Sequence, residues 1–153
     1  IALADWYAHT LKELDVPVYL NREIKKDEIL GSDADVVIIA TGSVPKVFKL
    51  GDDSKVFTAE QVLMNKKDPG NKVAVIGGGL VGCETALWLA EKGIEVTIIE
   101  ALDKILAVNG PLCHANSEML ERLIPFKGVE VKSSAKATGY DGKILTVSVN
   151  CKT

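Results

Sequence analysis

The stretch Gly77-Gly78-Gly79-Leu80-Val81-Gly82 limits what this chain can fold into more than any other feature. It follows the apolar run 72–76 and opens a helical pattern over 80–92, with Gly93 where a C-terminal cap belongs. A glycine turn between a strand and a helix has a mechanical meaning. Gly77 permits the tight turn, Gly79 lets the backbone approach a pyrophosphate, and Gly82 lets the helix lie close on the strands. The free N–H groups of the first helical turn, with the helix dipole behind them, then face an anion. Residues 94–100 read as the next strand, ending on Glu100, 18 residues after Gly82 (100 − 82). An acid at that point can accept hydrogen bonds from the ribose hydroxyls of a bound adenosine.

Glu100 also bears on the choice of cofactor. A carboxylate there repels a 2′-phosphate by about 1 kcal/mol in water, rising toward ~4 kcal/mol at an effective dielectric of 20 and ~4 Å. Lys104 is the nearby cation and is not an arginine fork. The pattern therefore predicts NAD(H) in preference to NADP(H). The bland alternative is a glycine-rich βαβ turn that binds nothing, with Glu100 closing a strand.

Along the rest of the chain, residues 4–14 show helical spacing, ended by Asp15 and Pro17. Residues 16–20 read as a short strand, and residues 22–30 as a loop or one strand of an antiparallel ribbon. Residues 35–40, mostly β-branched, read as a buried parallel strand. Thr58-Ala-Glu-Gln61 is a capping box that opens a short helix over 59–64. A helix is predicted over 112–123 with Pro111 in its first turn, then strands at 128–133 and 135–139. Asp141-Gly142 predicts a hairpin into 143–149. The order gives an α/β class with a parallel sheet and an antiparallel β-ribbon crossover, and the glycine turn makes it Rossmann-like. Two regions follow, residues 1–55 and residues 56–153.

Composition narrows the field. The chain has 153 residues, 47 % of them hydrophobic and 25 % charged, which suits a globular domain with a real core. A formal net charge of −3 argues against a nucleic-acid partner, and no apolar run approaches the roughly 20 residues of a membrane-spanning helix. Cys83, Cys113 and Cys151 are scattered, without C-x-x-C or zinc spacing, so a reducing, cytoplasmic setting fits. Residues 1–10 lack the pattern of a signal peptide. The chain starts without Met and inside a helical pattern, so it reads as a piece of something larger.

Residues 72–100 resemble the nicotinamide-dinucleotide domain of two-dinucleotide-fold flavoproteins, the FAD/NAD(P)-dependent pyridine nucleotide oxidoreductases. Asp35-Val-Val-Ile-Ile-Ala-Thr-Gly-Ser-Val-Pro45 resembles their A-T-G-x-x-P segment. The G-G-G-x-V-G-x-E-x-A phrase and Phe57-Thr-Ala-Glu-Gln-Val-Leu63 resemble old yellow enzyme-type NADH:flavin oxidoreductases, such as 2-enoate and 2,4-dienoyl-CoA reductases. The resemblance implies an oxidoreductase segment that docks NADH for hydride transfer to a flavin held elsewhere. It implies FAD in the parent protein near Ala40, Thr41 and Gly42, and allows for FMN and an iron–sulfur cluster outside these residues.

It also implies an excised segment, incomplete at both ends and inactive alone. The first glycine motif would precede Ile1 and the last nicotinamide-domain strand would follow Thr153. The partners implied are NADH and the rest of the flavoprotein. A further expectation is that residues 16–41 occupy the vacant edge beside residues 72–76, within one chain or by exchange in a homodimer.

Glu84 has two readings, a favourable charge at the helix's positive end or, from the resemblance, a neighbour of the nicotinamide. Cys83 and Trp88 read as packing residues on that helix. His9 reads as a surface residue, and His114 has no ligand set around it for a metal. Asp27, Glu28, Asp52 and Asp53 read as solvated loop acids. No catalytic residue is assigned. Two alternatives remain: a disulfide-reductase-type flavoprotein segment, whose C-x-x-C would lie outside this chain, and a non-catalytic Rossmann-like scaffold.

Overall fold

The computed structural model describes residues 2–107 and 114–149. Contacts divide the chain into two units, Ile1–Ser43 and Val44–Thr153. In the first unit, α1 (Ala2–Glu13) appears where helical spacing predicts it, and Asp15 at φ 51° ends it. The charged stretch after it is not a strand. It holds a one-turn helix, α2 (Lys26–Leu30), started by Glu28, whose Oε1 accepts from the Lys25 N–H at 3.2 Å. The other Glu28 oxygen accepts from the Arg22 guanidinium at 2.7 Å, which with the Lys25 N–H holds the Glu28 carboxyl below its usual range.

Two further expectations fail in this unit. Residues 16–20 and 35–40 form no strand, and Ile38 and Ile39 stand 84 % and 79 % exposed. Residues 36–40 belong to none of the sheets among the described residues. A β-branched run supplies propensity, but ladder hydrogen bonds need a partner strand.

The second unit follows the predicted order: α3 (Ala59–Leu63), β1 (Lys72–Ile76), α4 (Leu80–Glu91), β2 (Glu95–Ile99), α5 (His114–Phe126), β3 (Glu130–Lys132), β4 (Ala135–Tyr140) and β5 (Leu145–Val149). Strands β1, β2 and β3 form a parallel sheet in that spatial order, with Val73 opposite Val96 and Ile98 opposite Val131. Consecutive parallel strands in one direction are half of a doubly wound sheet. Helix α4 supplies Cys83, Ala86 and Leu89 to the core, β2 supplies Val96 and Ile98, and α5 supplies Leu120 and Ile124. Fully burying a side chain of the Leu or Ile kind contributes roughly 1.5–3 kcal/mol, so this cluster fixes α4 and α5 on the sheet.

The capping box forms as predicted: Thr58 Oγ1 accepts from the Gln61 N–H at 3.3 Å and Gln61 Oε1 accepts from the Thr58 N–H at 3.0 Å. Pro111 and residues 112–113 lie outside the described residues. Helix α5 continues past the predicted Leu123, through Pro125, to Phe126. Strands β4 and β5 pair antiparallel, and Asp141 Oδ1 accepts from the N–H groups of Lys143 and Ile144. Asp52 is exposed, as a loop acid should be, and also caps the 3-10 turn Asp53–Lys55 by accepting from the Ser54 N–H at 2.9 Å. Among the described residues no helix is long and apolar enough to cross a membrane.

Candidate functional site

The turn between β1 and α4 is built from backbone groups. Gly77 has φ +100°, a conformation that favours glycine, and its N–H extends the β1–β2 ladder to Ile99 O at 2.9 Å. Gly78 is buried; its N–H donates to Glu100 Oε2 at 2.5 Å and its carbonyl accepts from the Leu106 N–H at 2.7 Å. Gly79 is the N-cap of α4, with φ −74° and ψ −176°, and its carbonyl accepts the Cys83 N–H at 2.9 Å. The N–H groups of Leu80, Val81 and Gly82 fall in the first turn, where helix geometry supplies no acceptor. They and the dipole make a positive end.

The glycines differ in what excludes a side chain. A Cβ on Gly82 would run into the carbonyl oxygen of Gly77, so α4 lies too close to the turn for any other residue. A Cβ on Gly78 would stand 2.7 Å from Ile105 Cγ2 and 3.2 Å from Glu100 Oε2. Apart from its own chain neighbours, a Cβ on Gly79 would meet no atom of the described residues within 4 Å, and its backbone angles are ones any residue adopts. Among the described residues nothing requires glycine at position 79, and the open space beside the helix N-terminus is one that a dinucleotide phosphate would fit.

Glu100 closes β2, 9 % exposed. Its Oε2 takes the Gly78 N–H and its Oε1 takes the Leu102 N–H at 2.7 Å. The sequence suggested an acid open to ribose; the structure shows one that also holds the glycine turn to the loop after β2. Each carboxylate oxygen retains a further acceptor site. Glu84 is exposed on α4, Leu80 is half-buried against the core, and Val81 is 63 % exposed. Ala40, Thr41 and Gly42 are exposed and belong to the other unit, with Gly42 at φ +80°.

Cys83 packs as expected. It is fully buried, its Sγ lies 3.3 Å from the Gly78 carbonyl, and burial, helped by the Glu100 and Glu84 carboxylates, pushes its thiol up to about 11. Such a thiol is not a nucleophile at neutral pH. Sequence reasoning gave no role to Ile105, Leu102 and Leu106, which complete the turn; their pattern carries no signal, because the contacts are to backbone. A cleft of about 270 Å³ lined by Trp88, Lys67 and Lys92 lies among residues preceding β1 and β2, at the opposite ends of these strands from the glycine turn.

A parallel sheet, a glycine turn at a helix N-terminus and an acid closing the second strand define a Rossmann-like FAD/NAD(P)-binding fold. The chain belongs to the pyridine nucleotide-disulphide oxidoreductase family, whose sequence profile matches residues 27–153. It is similar to cinnamate reductase of Clostridium sporogenes, 52 % identical over 134 residues, which is 88 % of this chain and 20 % of that protein. It is also similar to NADH oxidase of Thermoanaerobacter brockii, 43 % identical over 107 residues, 66 % of this chain and 16 % of that one. Among solved structures, a 2-naphthoyl-CoA reductase complex matches with a TM-score of 0.74 and 28 % identity, over 94 % of this chain and 22 % of that one. The chain thus spans about a fifth of the length of these relatives. The superfamily expected from the sequence is the family found.

Proposed function

We propose that this chain is the NAD(H)-binding segment of a flavin-dependent oxidoreductase of the enoate-reductase type, docking NADH for reduction of a flavin held elsewhere in the parent protein. The observation that carries the reading is Gly79: a glycine that neither packing nor backbone angle demands, at the N-terminus of a helix with free N–H groups. Gly77 to Gly82 form the phosphate cradle, Glu100 accepts from the adenosine ribose, and Glu84 faces the nicotinamide side. When bound, NADH supplies a hydride; these residues orient it and exclude water from its phosphates. Ala40, Thr41 and Gly42 lie near FAD in the parent protein, and the functional division falls at residues 1–55 and 56–153. Relatives named cinnamate reductase and NADH oxidase support the choice of reaction class. The scattered cysteines support a cytoplasmic setting.

The test is titration of the purified chain with NADH and separately with NADPH, followed by nicotinamide fluorescence. Saturable binding is expected, tighter for NADH, with the difference shrinking in Glu100→Gln. Tighter NADPH binding would overturn the role of Glu100. A folded chain that binds neither nucleotide would overturn the docking reading and favour a scaffold.

A further inference from the structure

We infer that Gly78 and Ile105 are positioning residues: together they set where the Glu100 carboxylate stands, and through it the strength and the NADH-over-NADPH preference of nucleotide binding. The inference rests on the NAD(H)-docking reading above and deepens it.

Glu100 is fixed on every side. Its own N–H donates to Lys132 O at 2.9 Å and its carbonyl accepts from the Ala135 N–H at 2.8 Å, while the Leu102 carbonyl accepts from the Ser134 N–H at 2.7 Å. The main chain at the end of β2 is thereby held by the segment between β3 and β4. The carboxylate is then held from the front by the Gly78 and Leu102 N–H groups, at 2.5 and 2.7 Å. The loop after β2 does not leave the site. It returns so that the Leu106 N–H donates to the Gly78 carbonyl at 2.7 Å, with Leu106 buried at φ +59°. A closed ring of contacts results: Gly78 to Glu100, Glu100 to Leu102, and Leu106 back to Gly78.

The Ile105 side chain lies against Gly78, where that ring closes. Its Cγ2 and Cβ would stand 2.7 and 3.2 Å from any Cβ at position 78, so only glycine lets the loop come this near. Gly78 lacks a positive φ, so its backbone angle does not explain the glycine; the space taken by Ile105 and Glu100 does. A carboxylate held this way has lost its rotational freedom before a ligand arrives, which favours the ribose hydroxyls it is set to meet. It also cannot swing away from a 2′-phosphate, so the repulsion that selects against NADPH is felt in full. A loosened Glu100 could turn aside, and selection would weaken.

The experiment uses the chain and three variants, Gly78→Ala, Ile105→Ala and the double substitution, each titrated with NADH and NADPH and checked for folding by far-UV circular dichroism. Each single variant is expected to bind NADH roughly tenfold more weakly and to lose several-fold in the NADH-to-NADPH ratio, the scale on which touching residues couple. The double variant is expected to recover most of both, because the new methyl at 78 fills the space that Ile105 leaves. A merely structural role predicts additive losses with the ratio unchanged. Gly78→Ala with wild-type affinity and ratio, or a double variant no better than the singles, would overturn the inference while leaving the docking reading intact. If Gly78→Ala does not fold, Ile105→Ala decides alone: a reduced ratio supports the inference and an unchanged one overturns it. A folded wild-type chain that binds neither nucleotide refutes the docking reading and this inference with it.

Discussion

Gly79→Ser should make the protein more stable and stop it from binding its nucleotide. Gly79 has the extended angles of an N-cap residue, φ −74° and ψ −176°, and, its chain neighbours apart, no atom of the described residues within 4 Å of where a Cβ would lie. Serine can therefore enter without strain. Its Oγ would accept from the N–H of Val81 or Gly82, replacing a cap that now has no side-chain hydrogen bond. Serine exceeds glycine at an N-cap by a few tenths of a kcal/mol, and removing glycine's freedom from the unfolded chain adds roughly 0.4–1 kcal/mol. The sum is a gain of about 0.5–1.5 kcal/mol. With a urea slope of about 1–3 kcal/mol per molar, the midpoint should rise by about 0.2–1.5 M. A Trp6→Phe background leaves Trp88, half-buried on α4, as the fluorescent reporter of unfolding, since the chain has two tryptophans. In parallel, NADH affinity should fall at least about tenfold, because the new side chain stands in the phosphate's place and satisfies its donors. A destabilised Gly79→Ser would show that the space at 79 is not open to the protein. A stable variant that binds NADH as wild type would show that the glycine is not there for a ligand. Either result refutes the reasoning.

Gly82→Ala should act in the opposite way: its methyl meets the Gly77 carbonyl oxygen, so α4 must lift from the turn, at a cost of about 1–3 kcal/mol visible as a lower urea midpoint. Stability should also fall at alkaline pH through Cys83. Its folded thiol sits at about 11 against about 8.5 unfolded, so the unfolded chain releases its proton first. The stability that protonated Cys83 supports is complete below pH ~8.5 and is lost toward pH ~11, at no more than about 1.4 kcal/mol per pH unit. Urea melts across that window should show this slope, reduced in Cys83→Ala; an equal slope in the variant would remove the thiol as its cause. Thr58→Ala breaks the capping box and should cost about 1 kcal/mol, read as an earlier thermal transition without change in NADH affinity.

What could be read from the sequence was local. The box at Thr58 and Gln61 and the hairpin at Asp141 carry their own hydrogen-bonding partners within a few residues, so residue order specifies them. The glycine turn is legible from its spacing, although Gly77 and Gly78 bond to Ile99, Glu100 and Leu106 far along the chain. Residues 35–40 show the opposite case. Their β-branched composition satisfies strand propensity, yet a ladder needs a neighbour that sequence does not name, and the run stands exposed without pairing. Helix α2 escaped because its start is not marked by Ser, Thr, Asp or Asn; the Lys25 N–H is met instead by Glu28 from within the helix. At the site, the role of Glu100 was half legible. Its place at the end of β2 follows from spacing, but the two backbone N–H groups it takes, from Gly78 and Leu102, depend on the path of a loop that no pattern announces.

The structure also changes which residues bear on function. Read as a string, Gly77, Gly79, Gly82 and Glu100 together argue against a scaffold that has lost its ligand. In the fold, Gly77 is needed for its positive φ, Gly78 for the approach of Ile105, Gly82 for the closeness of α4, and Glu100 to hold two backbone N–H groups. A scaffold that bound nothing would still need all four. Gly79 alone among the turn's glycines meets no such demand, since the described residues neither occupy its space nor require its angles. The weight of the functional argument therefore rests on one position. A scaffold would gain stability by placing serine there, so glycine at 79 is what the proposed phosphate site, and not a scaffold, would retain.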